Sequence, residues 1–195
     1  MIIFFDTETT GLRPGQICQL SYLMQDKEKT VAKNFFFSVD FVEYGAYLVH
    51  GFSVDKLKAL SKGRRFFDDV LEIENDFNRA DLVLAHNLEF DLSFMKTEFC
   101  RLDKDFKIKK GFCSMTNMTS VCKIPRKSGC GYKYPKLTEL CSFFSVSDVE
   151  INLDTVRLFG DRSNYHDARF DTTAVYLAVN KGMDTEYLSS LREYL

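Results

Sequence analysis

The sequence predicts an α/β protein, a mixed five-stranded sheet flanked by helices on both faces. Three observations carry this. Apolar segments 1–8, 17–25 and 31–39 follow one another with only short polar turns between them, as in an antiparallel meander. Beyond them, helical periodicity alternates with short apolar runs, the pattern that inserts parallel strands beside a meander and places helices on both faces. The 195 residues, 45% of them hydrophobic, suffice for one domain with a sizeable core. Residues 1–195 are read as that single domain.

Each element has its own justification. Gln25-Asp26-Lys27-Glu28-Lys29 is the polar link between the second and third strands. Asp55 to Leu60 reads as a short helix. Between Phe66 and Arg79, residues Phe66, Phe67, Val70, Leu71, Ile73 and Phe77 recur at helical spacing. Leu82 to Ala85 is a continuous apolar run, as in a buried parallel strand. Leu92, Phe94, Met95, Phe99 and Leu102 predict a helix over 91–102. Residues 111–116 read as a fifth strand, and Lys136 to Phe144 as a helix with Leu137, Leu140, Cys141 and Phe144 on one face. Helices over 168–180 and 185–194 complete the chain.

The strongest chemical signal lies at the end of the first strand, in Phe5-Asp6-Thr7-Glu8-Thr9-Thr10-Gly11. Strand residues i and i+2 share a face, so Asp6 and Glu8 stand side by side where a buried strand meets a turn. Unpaired carboxylates there repel and are costly to desolvate. A hard cation such as Mg²⁺ or Mn²⁺ removes that cost, and oxygen-only ligands favour it. Taken alone, the pair fits two solvated acids at a strand end equally well. Asp91, in the first turn of a helix after a buried strand, and Asp171, at a loop-to-helix junction five residues after His166, supply further acids. Each alone is also an ordinary helix-start residue.

Together these segments resemble the DEDDh (DnaQ-like) family of 3′–5′ exonucleases, the group that includes the proofreading subunit of bacterial DNA polymerase III. The first motif is Phe5-Asp6-Thr7-Glu8-Thr9-Thr10-Gly11. The second is His86-Asn87-x-x-Phe90-Asp91, and the third His166-x-Ala168-x-x-Asp171. Val49-His50-Gly51-Phe52 matches a His-Gly that family members carry at the nucleotide pocket. The subclass with Tyr four residues before the last Asp is not matched, because Asp167 holds that position. A haloacid-dehalogenase-like phosphatase opens similarly but needs Asp where Glu8 stands.

The resemblance implies a ribonuclease-H-like fold and two divalent metal ions, Mg²⁺ or Mn²⁺, held by Asp6, Glu8, Asp91 and Asp171. In two-metal sites the ions lie about 3.5–4 Å apart and clamp the attacking and leaving oxygens. His166 is the expected general base, with Asp167 beside it pointing elsewhere. Thr9, Leu12, His50, Asn87 and Phe90 are the expected substrate-binding residues. The substrate the resemblance implies is single-stranded nucleic acid or a 3′ end, with DNA favoured over RNA, in proofreading or repair with a DNA polymerase as a possible partner. An RNA-trimming exoribonuclease and a catalytically silent nucleic-acid- or polymerase-binding module are the alternatives.

Composition narrows the classes further. No run reaches the roughly 18–20 apolar residues of a membrane span. No basic leader precedes an apolar stretch, which makes a cytoplasmic location the expectation. Six cysteines without a C-x-x-C pair, and only three histidines, argue against zinc. Net charge is −2, yet ten Lys or Arg face two Asp between Arg101 and Lys136. That segment suits either a phosphate track or a solvated surface. Within it, Pro125 to Pro135 is the clearest loop, and its basic and aromatic residues suit single-strand contacts.

Overall fold

The computed structural model describes residues 1–195. Strand β1 (Ile2–Thr9) is central. It pairs antiparallel with β2 (Ile17–Gln25), which pairs antiparallel with β3 (Thr30–Phe36) at one edge. On its other side β1 pairs parallel with β4 (Leu82–Ala85), and β4 with β5 (Gly111–Cys113). The sheet order is β3-β2-β1-β4-β5.

Nine helices follow the chain: α1 (Tyr44–His50), α2 (Val54–Ser61), α3 (Phe66–Arg79), α4 (Leu88–Cys100), α5 (Ser114–Asn117), α6 (Thr119–Cys122), α7 (Leu137–Phe143), α8 (Asp148–Phe159) and α9 (Ala168–Met183). A 3₁₀ turn at Ser189–Tyr194 ends it. No helix is long and apolar enough to cross a membrane.

The period-2 alternation of β1 divides the core into two layers. Ile2 and Phe4 pack with Leu23, Leu82 and Leu84 against Leu140, Ile151, Val175 and Val179 of α7, α8 and α9. Ile3 and Phe5 face the other way, with Tyr22 and Val83, onto Ile73 and Phe77 of α3 and Phe94 and Phe99 of α4. Phe77 meets Phe5, Tyr22 and Phe106 edge-on at 5.4 Å between ring centres. Parity therefore places Asp6 and Glu8 on the α9 side and Thr7 on the α4 side.

Several boundaries differ from the sequence expectation. Strand β3 ends at Phe36: Phe37 N–H still bonds the opposite Cys18 carbonyl, but Ser38 N–H turns away to that of Arg64. Helix α4 begins at Leu88, before Asp91, because Asn87 takes a left-handed turn (φ 78°) that an Asn tolerates. Strand β5 stops at Cys113, where the buried Ser114 hydroxyl reaches the Ala85 carbonyl at 3.2 Å and starts α5. The final segment is a 3₁₀ turn from Ser189, and α9 runs on to Met183. Helices α1, α6 and α8 have no counterpart in the expectation, and α5 takes up the second half of the strand expected over 111–116.

Candidate active site

The C-terminal end of β1 delivers Asp6 and Glu8, and the first turn of α9 delivers Asp171, onto the same side of the sheet. One carboxylate oxygen from each lies within 4.8 Å of the others. Glu8 and Asp171 are buried and Asp6 is half-buried. Asp171 Oδ2 accepts the His166 backbone N–H at 3.1 Å, while its Oδ1 is buried without a hydrogen-bond partner.

Asp91 arrives from the opposite layer, and its charge bears on Asp6 more than that of any other acid. Its Oδ1 accepts from the Thr7 backbone N–H at 3.1 Å and from the Thr7 hydroxyl at 2.7 Å. The sequence reading drew all four acids to one point. The structure places an oxygen of each of Asp6, Glu8 and Asp171 within 4.8 Å of one another and holds Asp91, whose charge acts on Asp6 and Glu8, through Thr7, the residue whose side chain parity turns toward α4.

Four acids so placed resist ionising together. Burial, then the charges of Asp91, Asp171 and Glu8, hold Asp6 well above the usual carboxylate range. Burial, then Asp171 and Asp167, do the same to Glu8. Burial pushes Asp91 up to about 7 against the pull of the Thr7 bonds, and pushes Asp171 up to about 7 against the His166 N–H. The buried, unbonded oxygen and the mutual repulsion are what a set of hard-cation ligands presents before a cation neutralises it. The donor set, all carboxylate, fits Mg²⁺ or Mn²⁺.

His166 lies on the loop before α9 in a left-handed conformation (φ 65°), with its side chain exposed. Asp167, expected to be an uninvolved neighbour, is built into the scaffold. It caps α9 by accepting from Arg169 N–H at 3.0 Å and pairs with the Arg169 guanidinium at 2.7 Å. It also accepts from Gln19 Nε2 at 3.0 Å. Gln19, fully buried and opposite Glu8 on β2, accepts in turn from Ala168 N–H through its Oε1 at 3.1 Å. The loop-to-helix junction is thereby docked on the sheet beside the carboxylates.

Glu8 also borders a cavity of about 330 Å³ whose wall includes Thr9, Leu12, His50 and Phe90, four of the five expected substrate residues. His50 Nδ1 accepts from Phe52 N–H at 3.0 Å, so in the neutral ring Nε2 carries the proton and donates to the Thr9 carbonyl at 3.2 Å. Burial lowers its pKa and favours that neutral form. Leu12 is exposed at the mouth. Asn87 is the exception: exposed in its left-handed turn, it shapes the start of α4 and does not line the cavity. Thr7 and Gly11 also line it, and Glu43, Gly45, Ala46 and Val49 complete the wall; these last four were missed, because α1 buries no residue and so leaves no periodic signal. The Gly51 stop after His50, in the left-handed region at φ 70°, was the one readable sign of that helix.

The comparisons agree with this geometry. The family model described as "Exonuclease" (RNase_T) matches residues 3–149, which contain Asp6, Glu8 and Asp91 but not His166 or Asp171. The DNA polymerase III subunit epsilon of Rickettsia felis is 30% identical over 152 residues, covering 75% of this chain and 63% of that protein. Those of Salmonella typhimurium and Escherichia coli are 28% identical over 156 residues, covering 75% of this chain and 61% of each relative. The chain thus spans less than two thirds of the length of these relatives. With the family match running through most of the chain and its carboxylates clustered at the end of β1, this protein belongs to the exonuclease family.

Proposed function

We propose that residues 1–195 form a single cytoplasmic exonuclease domain that removes nucleotides from the 3′ end of DNA by a two-metal-ion mechanism. The observation that carries this reading is the meeting of Asp6, Glu8 and Asp171 within 4.8 Å, with one buried oxygen of Asp171 unbonded. Asp6, Glu8 and Asp171, with Asp91 held by Thr7, are the residues that would hold the ions. Bound Mg²⁺ or Mn²⁺ would supply the positive charge that activates water and stabilises the transferring phosphoryl group.

The rest is the work of side chains. The cavity beside Glu8 is sized for one terminal nucleoside, with Leu12 at its mouth and Phe90 on its wall. His50 has both ring nitrogens committed, so it shapes the pocket and is unsuited to proton transfer. His166 is exposed, and its ring is free to take the proton of the attacking water. The relatives are named as subunits of a DNA polymerase, which supports DNA as substrate and a polymerase as partner.

The test is a panel of 5′-labelled single-stranded DNA, mismatched duplex and RNA, each with Mg²⁺, Mn²⁺ or chelator. Mononucleotides should leave linear DNA from the 3′ end, closed circles should stay intact, and chelation should stop the reaction. His166→Ala should lower turnover by roughly 10²–10⁴ with metal binding retained. Cutting of circles, or full activity of His166→Ala, overturns the reading.

A further inference from the structure

The segment Pro125–Pro135 folds back on itself. Pro125 and Tyr132 form an antiparallel bridge, Lys133 N–H bonds the Ile124 carbonyl at 2.9 Å, and Arg126 Nε donates to the Tyr132 carbonyl at 2.9 Å. The base of this hairpin is tied to the sheet. His86 Nε2 lies 3.0 Å from the Pro135 carbonyl and its Nδ1 lies 2.9 Å from Ser114 Oγ. Burial lowers the His86 pKa to about 4, so near neutral pH the ring is uncharged and acts as a clamp.

Strand register says where that clamp stands. Phe4 pairs with Leu84 in the parallel β1–β4 ladder, so two residues further on Asp6 is level with His86. Adjacent strands are about 4.8 Å apart. The hairpin is thus rooted one strand from the carboxylate cluster, at the same end of the sheet.

Its chemistry is of one kind. Lys123, Arg126, Lys127 and Lys136 are exposed and form no ion pair, whereas Lys133 is paired with Glu139. Tyr132 is 42% exposed and Tyr134 57% exposed, both within the same turn of chain. Unpaired cations attract phosphates, and exposed rings give bases a stacking surface.

We propose that this hairpin is a guide for the single strand that trails from the bound 3′ end, its cations on the phosphates and Tyr132 and Tyr134 against the bases. The inference rests on the exonuclease reading and adds the surface that separates a polymer from a single nucleotide. It assigns strand affinity to the hairpin and terminal-nucleotide recognition to the cavity beside Glu8.

The experiment compares the wild type with K123A/R126A/K127A and with Y132A/Y134A on two substrates: an oligothymidylate of about 16 nucleotides, and the p-nitrophenyl ester of thymidine 5′-monophosphate, which fills the nucleotide cavity alone. The expected result is a KM for the oligonucleotide raised about tenfold or more in either variant, with kcat and turnover of the ester unchanged. In K123A/R126A/K127A the salt dependence should fall as well. Losing three phosphate contacts reduces the slope of log(kcat/KM) against log[salt] by about 2, at ~0.7 per contact. Unchanged KM and slope overturn the proposal. Anisotropy of the labelled oligonucleotide in Ca²⁺ reports strand binding independently of cleavage. An inactive wild type whose binding is lost in the variants refutes the exonuclease reading and keeps the guide. An active wild type whose variants bind equally well refutes the guide and keeps the exonuclease.

Discussion

Asp171 shows how one residue can weaken the fold that presents it. Its carboxyl, like that of Asp91, titrates near 7 in the folded chain and near 3.9 when unfolded. Between those values the folded state holds more protons than the unfolded state, so stability falls as pH rises. The thermal midpoint of metal-free protein should therefore drop as pH rises from about 4 through 7, with Asp6 and Glu8, also raised by burial, adding to the fall. Mg²⁺ or Mn²⁺ should restore it at the alkaline end, since the cation binds the ionised, folded form. Asp171→Asn should flatten the pH dependence, raise the metal-free midpoint at pH 8 and abolish hydrolysis. A midpoint that climbs with pH in the absence of metal would show that the carboxylates do not repel as their burial requires.

At the scale of the element, the start of α9 matters most. Asp167 caps the helix, bonds Gln19 and pairs with Arg169. Asp167→Ala should cost about 1 kcal/mol or more of stability from the cap alone. Asp167→Asn, which keeps a cap acceptor, should recover much of it; equal midpoints for Asp167→Ala and wild type in thermal unfolding would refute the capping role. This importance was invisible in sequence, where Asp167 is only the neighbour of His166. What was legible is instructive. Period-2 alternation put Asp6 and Glu8 on one face, and helical spacing gave Phe66–Arg79 and the apolar run gave Leu82–Ala85 with the bounds the structure has. Helix α1 was illegible because it buries nothing. Helix α8 carried a capping signature in Ser147-Asp148-Val149-Glu150, whose Ser147 hydroxyl does accept Glu150 N–H at 3.2 Å, and it went unread. Asp91 was found, but its anchoring to the Thr7 hydroxyl and N–H depends on which face Thr7 occupies once β4 and α4 are placed.

Over the whole molecule, two aromatic-rich layers clamp one sheet, and the site sits where that sheet runs out between them. Phe77 joins α3 to β1 and β2 through its contacts with Phe5 and Tyr22 and is 1% exposed. Phe77→Ala should destabilise the protein by about 3–5 kcal/mol. Because the α9-side layer carries Asp171 and the α4-side layer carries Asp91, loosening the α4 side should shift Asp91 relative to β1 and impair activity before global unfolding. Denaturant titrations followed by both helicity and hydrolysis check this: activity should be lost at a lower midpoint than helicity in Phe77→Ala, and coincident midpoints would count against it.

The two tyrosines of the Pro125–Pro135 hairpin have an optical consequence. The chain contains nine Tyr and no Trp, so its near-ultraviolet emission is tyrosine emission alone. Tyr22 is sealed in the core against Asp76, whereas Tyr132 and Tyr134 are open to solvent. A base laid on either ring would quench its light, so an unlabelled strand arriving at the hairpin would announce itself in the intrinsic spectrum of the wild-type protein, and Y132A/Y134A, which keeps seven tyrosines, would still emit but lose that part of the quenching.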